Sequence, residues 1–318
     1  MASKLFIIGS GFTNAATQRD APLNKDVLRS IQPTAPDAWD DLTARYSTED
    51  IEVALTKLDL DIISAPENHE LVHLRRKVEA SLSTFFARYR YKEDLLHESP
   101  WLLDFIQGAF VEGDAAVSLN YDCLLEGLLD RCKLWSPYDG YGRSCPVKSV
   151  TTEPNLSPVT VLKIHGSENF HRDAVPRTQI DRQFYFTINE SIFPVSGHLQ
   201  NFCPRGRDSS EAIIAPSFVK VFPSALLCLM VEAMDIAQKA ETLVLIGCGL
   251  RPEDTFLYLL LWHFIKDTKR IFILKHKASD LGRRISDTLE YDVTSIVHPI
   301  DKSLEDGWSD LTMELKKR

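Results

Sequence analysis

Short, continuous apolar runs that stop abruptly at a glycine or a polar turn recur along this chain, and few folds can use them. Lys4–Ile8 runs into Gly9-Ser10-Gly11, residues 115–119 into Asn120-Tyr121-Asp122, residues 159–164 into His165-Gly166-Ser167, and Thr242–Ile246 into Gly247-Cys248-Gly249. Runs this short and this apolar suit strands buried on both faces of a sheet. Helical patterns follow them. Leu124, Leu125, Leu128 and Leu129 fall on one helical face, Ser224–Lys239 reads as a helix, and another begins near Pro252-Glu253-Asp254, with proline in the first turn and acids at the positive end of the dipole. Arg270–Leu274 is a further buried strand, 280–289 a helix, 293–297 the last strand and 304–317 a terminal helix. Strands alternating with helices predict an α/β fold, a Rossmann-like parallel sheet covered by helices, whose ligand crevice lies at the carboxyl ends of the strands.

One block breaks the alternation. Residues 24–112 read as almost wholly helical, with starts at Pro36, at Ser47-Thr48-Glu49-Asp50 and at Pro66. From about Pro66 to Tyr91, Leu71, Leu74, Val78, Leu82, Phe85, Phe86 and Tyr89 recur at steps of three and four, and Arg75, Arg76, Lys77, Arg88, Arg90 and Lys92 are expected on a solvated face. The block is too long for a βα crossover, so it is read as a helical insertion or cap subdomain (24–112) within a single domain spanning 1–318. Residues 135–158 form a Pro-, Gly- and Ser-rich surface connection. A strand is expected at 184–188, and the polar loop 204–210 is expected to move.

Composition excludes several classes. A content of 44% hydrophobic and 25% charged residues is that of a soluble globular protein, and a formal net charge of −9 argues against direct nucleic-acid binding. No window approaches the ~18–20 apolar residues of a membrane span. The opening Met-Ala-Ser-Lys leads directly into a strand without a signal-peptide core, so a cytoplasmic location is expected. The six cysteines, Cys123, Cys132, Cys145, Cys203, Cys228 and Cys248, include no C-x-x-C pair and are read as reduced thiols, without a zinc site or other metal.

The turns carry the chemistry. A strand ending in Gly9-Ser10-Gly11, followed by Phe12-Thr13-Asn14, lets backbone N–H groups approach a pyrophosphate, although Asn14 stands where a full G-x-G-x-x-G has its last glycine. The plain alternative is an ordinary tight turn. Gly166 allows the chain to bend sharply after His165, which displays that imidazole at a strand end; a structural, hydrogen-bonded histidine is the plain alternative there.

Taken in order, G-S-G-F-T, S-L-N-Y-D, K-I-H-G-S, I-A-P and L-I-G-C-G-L resemble the sirtuin-like family, with its G-A-G-x-S, T-x-N-x-D, H-G and I-G-x-S-L motifs, over about residues 4 to 275. The resemblance implies that Gly9, Ser10, Gly11, Thr13 and Asn14 cradle phosphates. It implies that Asn120 and Asp122 hold the nicotinamide-side ribose, that His165 is the general base, and that Gly247, Cys248 and Gly249 hold the adenosine half of NAD. Ser118 replaces the family's usual Thr, and Gly249 its usual Ser, which removes a hydroxyl contact. Protein-deacylating members carry a four-Cys zinc ribbon between the H-G strand and the later strand; here that interval holds only Cys203 and Cys228. The chain is therefore similar to the zinc-less, NAD-hydrolysing effectors of bacterial antiphage systems.

That similarity implies NAD+ as substrate and not as a retained cofactor, cleavage to nicotinamide and ADP-ribose, and NAD depletion with abortive infection. It also implies a homo-oligomer or a partner ATPase (HerA-type) or other sensor in trans as the gate. A non-catalytic NAD or ADP-ribose sensor is the main alternative; protein deacylation or ADP-ribosyl transfer ranks below it, opposed by the missing ribbon. For NADP+, a cation near the adenosine ribose would be needed, and Arg251 and Lys275 are the candidates. Asp122 has two readings, favouring developing positive charge or locking the Asn120 loop, the second preferred.

Overall fold

The computed structural model describes residues 4–23, 26–136, 139–142, 157–172, 192–194, 210–218, 224–251, 254–265 and 270–317. The chain starts with β1 (Lys4–Ile8) and α1 (Ser10–Ala16) and then runs through α2 (Val27–Ile31), α3 (Pro36–Tyr46), α4 (Ile51–Ser64), α5 (His69–Phe86), α6 (Asp94–Glu98) and α7 (Trp101–Ala109). It continues with β2 (Ala115–Ser118), α8 (Leu124–Arg131), β3 (Thr160–Lys163), β4 (Gly166–Arg172), β5 (Ile192–Pro194), β6 (Ser210–Ile213) and α9 (Ser224–Lys239). The last third holds β7 (Thr242–Ile246), α10 (Thr255–Ile265), β8 (Arg270–Leu274), α11 (Ala278–Leu289), β9 (Val297–Ile300) and α12 (Leu304–Leu315).

Six strands form one parallel sheet in the order β3-β2-β1-β7-β8-β9. Counted within the sheet this is 3-2-1-4-5-6, the order of two mononucleotide-binding halves joined back to back. The order reverses between β1 and β7, where Ile8 pairs with Ile246. Every residue of β2 and β7 is buried, and so is all of β1 but Lys4, as the uninterrupted apolar runs require of a sheet covered on both faces. Helices α1, α7, α8, α9, α10, α11 and α12 supply side chains to the core around it.

A second core lies apart from the first. Trp39, Leu42, Leu55, Leu58, Leu71, Leu74, Val78, Leu82 and Phe85 bury one another, closed by Ile213 and Ala215 at the end of β6. Two of its helices, α4 and α5, have side-chain caps: the Asp50 carboxylate accepts from Glu52 and Val53 N–H, and the Asn68 side chain accepts from Glu70 and Leu71 N–H. Between the two cores sits a small antiparallel sheet, β5-β4-β6.

Several expectations need correction. Arg75 and Arg90 do not belong to a solvated face. Arg75 is buried against Asp59 (Nε–Oδ1 2.8 Å) and Glu79 (3.6 Å), and Arg90 grips the buried Glu168 carboxylate with both Nε (2.6 Å) and Nη2 (2.5 Å). The last strand is Val297–Ile300, four residues later than expected, because Asp292 turns the chain: its carboxylate accepts from both Thr294 N–H and Thr294 hydroxyl. Helix α10 starts at Thr255, with the Asp254 carbonyl accepting its first bonds. Residues 252 and 253, the expected strand at 184–188 and the polar loop 204–209 lie outside the described residues, while Ser210 begins β6. No described helix is long and apolar enough to cross a membrane.

Candidate functional site

The turns after β1 and β7 touch each other at the point where strand order reverses. Gly9 N–H donates to the Ile246 carbonyl (3.0 Å) and Gly11 N–H to the Gly247 carbonyl (3.0 Å). Side chains are excluded from this seam. A Cβ on Gly9 would come within 2.7 Å of Cys248 Cα, and one on Gly247, whose φ is +60°, within 2.5 Å of the Phe12 nitrogen. The glycines first singled out for ligand approach are thus also required by loop-to-loop packing. Gly249 differs: nothing lies within 4 Å of where its Cβ would stand. Helix α1 begins at Ser10, directly after Gly9, so Thr13 and Asn14 stand on its first turns and not in a loop.

The β2 turn is held to that helix by a chain of hydrogen bonds. Asn120 Nδ2 donates to the Gly9 carbonyl (3.1 Å) and to Thr13 Oγ1 (3.0 Å), which in turn donates to Asp122 Oδ2 (2.9 Å). The other Asp122 oxygen accepts from Leu124 N–H (3.1 Å), at the start of α8. Both oxygens of Asp122 are engaged and both amide hydrogens of Asn120 are spent, so the Asn120 side-chain oxygen is its remaining polar atom. The two residues are 8% and 4% exposed. Burial pushes the Asp122 carboxyl up to about 6, against the opposing pull of Lys163 and the Thr13 hydroxyl.

His165 is half-buried between β3 and β4, and its carbonyl accepts from Ile214 N–H (2.8 Å). Gly166, at φ +78°, makes the bend that leads into β4. Tyr121 closes the corner from above, its hydroxyl donating to the Ile214 carbonyl (2.6 Å) and its ring packing against Phe86 of α5.

Gly9, Ser10, Gly11, Thr13, Asn14, Asn120, Asp122, His165, Gly247, Cys248 and Gly249 all line one cavity of about 750 Å³. Volumes of this order suit a nucleotide-sized ligand. Sequence reasoning did not anticipate several of its other walls: Arg19 in the turn after α1, Glu52 from the helical block, His276 beside Lys275 after β8, and Ser303–Glu305 before and in α12. They carry no local signature, and only folding brings them together. Burial pushes the thiol of Cys248, the cysteine that lines the cavity, up to about 12, away from the thiolate form a nucleophile needs.

Lys163 is a further residue that sequence reading passed over. It is 0% exposed at the end of β3, 3.1 Å from Glu126 of α8, and its ammonium donates to the Asp122 carbonyl. Burial works to lower its pKa, but Glu126, Cys123 and Asp122 outweigh it and the net direction is upward, so it stays charged. The available signal was a lone lysine inside an apolar run, which demands a buried partner. Asn14 donates through Nδ2 to the Ala21 carbonyl (2.6 Å) and so ties down the segment that leads into the helical block.

Among the described residues no group of three or more His, Cys, Asp or Glu side chains is arranged to hold a metal; Cys203 lies outside them. No family model matches the chain, and no curated protein matches it. Among solved structures, the chain is similar to a mutant Sir2 homologue in complex with ADP-ribose, at 12% identity, covering 99% of this chain and 92% of that chain with a TM-score of 0.47. A mutant Sir2 homologue complex with 2'-O-acetyl ADP-ribose gives 10% identity, the same coverages and a TM-score of 0.47. A Sir2 homologue–NAD complex gives 12% identity, 99% and 90% coverage and a TM-score of 0.43. What defines the fold is the chain's own parallel order β3-β2-β1-β7-β8-β9, and by that order it is a Rossmann-like α/β protein.

Proposed function

We propose that this chain hydrolyses NAD+ to nicotinamide and ADP-ribose. The observation that carries the reading is that one cavity, at the strand-order reversal, is lined by the glycine turns of both sheet halves and by Asn120 and His165 together. Such a crevice accepts a dinucleotide with its pyrophosphate against the glycine turns and its nicotinamide ribose towards the Asn120–His165 corner.

The chemistry asks little of the protein. The leaving nicotinamide of NAD+ is already cationic, so no acid is needed to expel it. Water oxygen bonds to the anomeric carbon as the carbon–nitrogen bond breaks; nicotinamide leaves neutral with that electron pair, and His165 takes the proton of the attacking water. The Asn120 side-chain oxygen accepts from a ribose hydroxyl or from that water, since its amide hydrogens are held by Gly9 and Thr13. Asp122 and Lys163 act as positioning residues that keep the β2 turn in place.

General-base help contributes ~10²–10⁴-fold to a rate. His165→Ala and Asn120→Ala are each expected to lower nicotinamide release from NAD+ by on the order of a hundredfold or more, with both variants still folded. Near-normal turnover in either variant would remove the assigned role. A second reading, a binding module without catalysis, draws support from the engagement of both Asn120 amide hydrogens within the protein. Tight ADP-ribose binding without nicotinamide release would select it. The similarity to zinc-less sirtuin-like effectors supports a role in antiphage defence, gated by self-assembly or by a HerA-type partner ATPase. Full activity of the isolated chain as a dilute monomer would sink such gating.

A further inference from the structure

On the dinucleotide reading, the adenosine end of the cavity is the one bounded by Gly247–Gly249 and by the residues that follow β8. In a mononucleotide-binding βαβ half, the residue at the carboxyl end of the second strand faces the ribose; an acid there reads the ribose hydroxyls, and a cation reads a phosphate on the 2' oxygen. The unit β7–α10–β8 is such a half, with Gly247-Cys248-Gly249 as its glycine turn. Ile246 pairs with Leu274, and Gly247 N–H donates to the Leu274 carbonyl (3.3 Å), so the two strand ends lie side by side. The residues that follow Leu274 are Lys275 and His276, and both line the cavity.

No acid occupies the ribose-reading position. Among the described residues Lys275 forms no ion pair, and its charge is felt at Cys248, one residue into the facing turn. Of the acids that line the cavity, Glu52 pairs with Arg251, Glu305 lies 4.0 Å from Arg19, Asp122 is held by Thr13 and Leu124, and the charge of Asp254 is felt at Cys248 against that of Lys275. Arg284 donates to the Gly249 carbonyl (3.0 Å) and the Leu250 carbonyl (3.3 Å), bracing the turn, and Gly249 leaves open space beside it.

We infer that the site prefers a dinucleotide bearing a phosphate on its adenosine ribose, an NADP+-type ligand, with Lys275 as the residue that selects it and His276 assisting. The inference rests on the reading of the cavity as a dinucleotide site.

Binding and turnover are measured separately on the full chain. Calorimetry compares 2'-phospho-ADP-ribose with ADP-ribose, and nicotinamide release compares NADP+ with NAD+. A charge-assisted contact predicts at least about tenfold tighter binding of the 2'-phosphorylated ligand. Lys275→Ala should collapse that ratio towards one, and Lys275→Arg should keep it. A merely structural effect of the substitution would weaken both ligands in parallel and leave the ratio standing, which would overturn the role of Lys275. Equal affinities in the unaltered protein, or a preference for ADP-ribose, would overturn the inference while leaving NAD+ cleavage intact. A tenfold preference without nicotinamide release would support it while overturning hydrolysis.

Discussion

Thr13 stands between Asn120 and Asp122, accepting from one and donating to the other, although it comes from the opposite end of the sheet half in sequence. The polar corner is therefore built by three side chains and not by the two that the N-x-D spacing displays. Burial of Asp122 has a measurable consequence. A carboxyl pushed from 3.8 to about 6 in the folded protein stabilises the fold fully below its unfolded pKa, and that contribution is lost as pH rises through about 6. Asp122→Asn removes the titration while keeping an acceptor for Leu124 N–H. The variant is expected to lose the fall in stability between pH 4 and 6, a difference of up to about 3 kcal/mol. Urea midpoints at pH 4.5 and 7.5 for both proteins test this; parallel pH dependence would mean that Asp122 titrates normally. The residue identities of this corner were legible in sequence, but the engagement of every Asp122 and Asn120 hydrogen-bonding group except one oxygen was not, because Thr13 lies on another element.

At the scale of elements, the glycine turns separate two reasons for having no side chain. Gly247 has a left-handed backbone and no room, with Phe12 N only 2.5 Å from its would-be Cβ, whereas Gly249 faces open space. Gly247→Ala is expected to cost about 2 kcal/mol or more, from backbone strain and displacement of the Gly11–Phe12 segment. Gly249→Ala should stay within about 0.5 kcal/mol. Equal losses in thermal denaturation would show that the turn is not packed as described. Apolar strands were legible from their runs, and β1 and β7 fall where the pattern puts them. Strand β4 was hidden for the opposite reason: Ser167, Glu168 and Asn169 are buried but polar, so no hydrophobic period marks them. Their partners are distant, Arg90 for Glu168 and Tyr141 for Asn169. The misplaced last strand follows a related rule, since the Asp292–Thr294 hydrogen bonds divert a β-branched stretch into a turn.

For the whole molecule, the helical block and the sheet have separate cores that meet at the cavity. The links across that boundary are mostly polar: Arg90 to Glu168, Ser83 to the Glu168 carbonyl, Arg251 to Glu52, and the Phe218 N–H to the Thr56 hydroxyl. Such a boundary opens more readily than a shared core, so amide hydrogen exchange in α3 and α4 is expected on the order of tenfold or more faster than in β1, β7 and β8. Addition of the ligand should slow it; uniform protection across both cores would contradict the picture. What the sequence determined by itself was local and periodic: where buried strands lie, which helices have an apolar face, and which turns are short enough to bring backbone to a ligand. Those properties are set by neighbours along the chain, through steric limits and the burial of apolar surface. Only the tertiary structure decided that Arg75 and Arg90 are buried partners, that Lys163 stays charged beneath the site, and that Lys275 and His276 share a cavity with His165. Charges are placed by what lies opposite them in space, and hydropathy along a single chain carries no information about that partner.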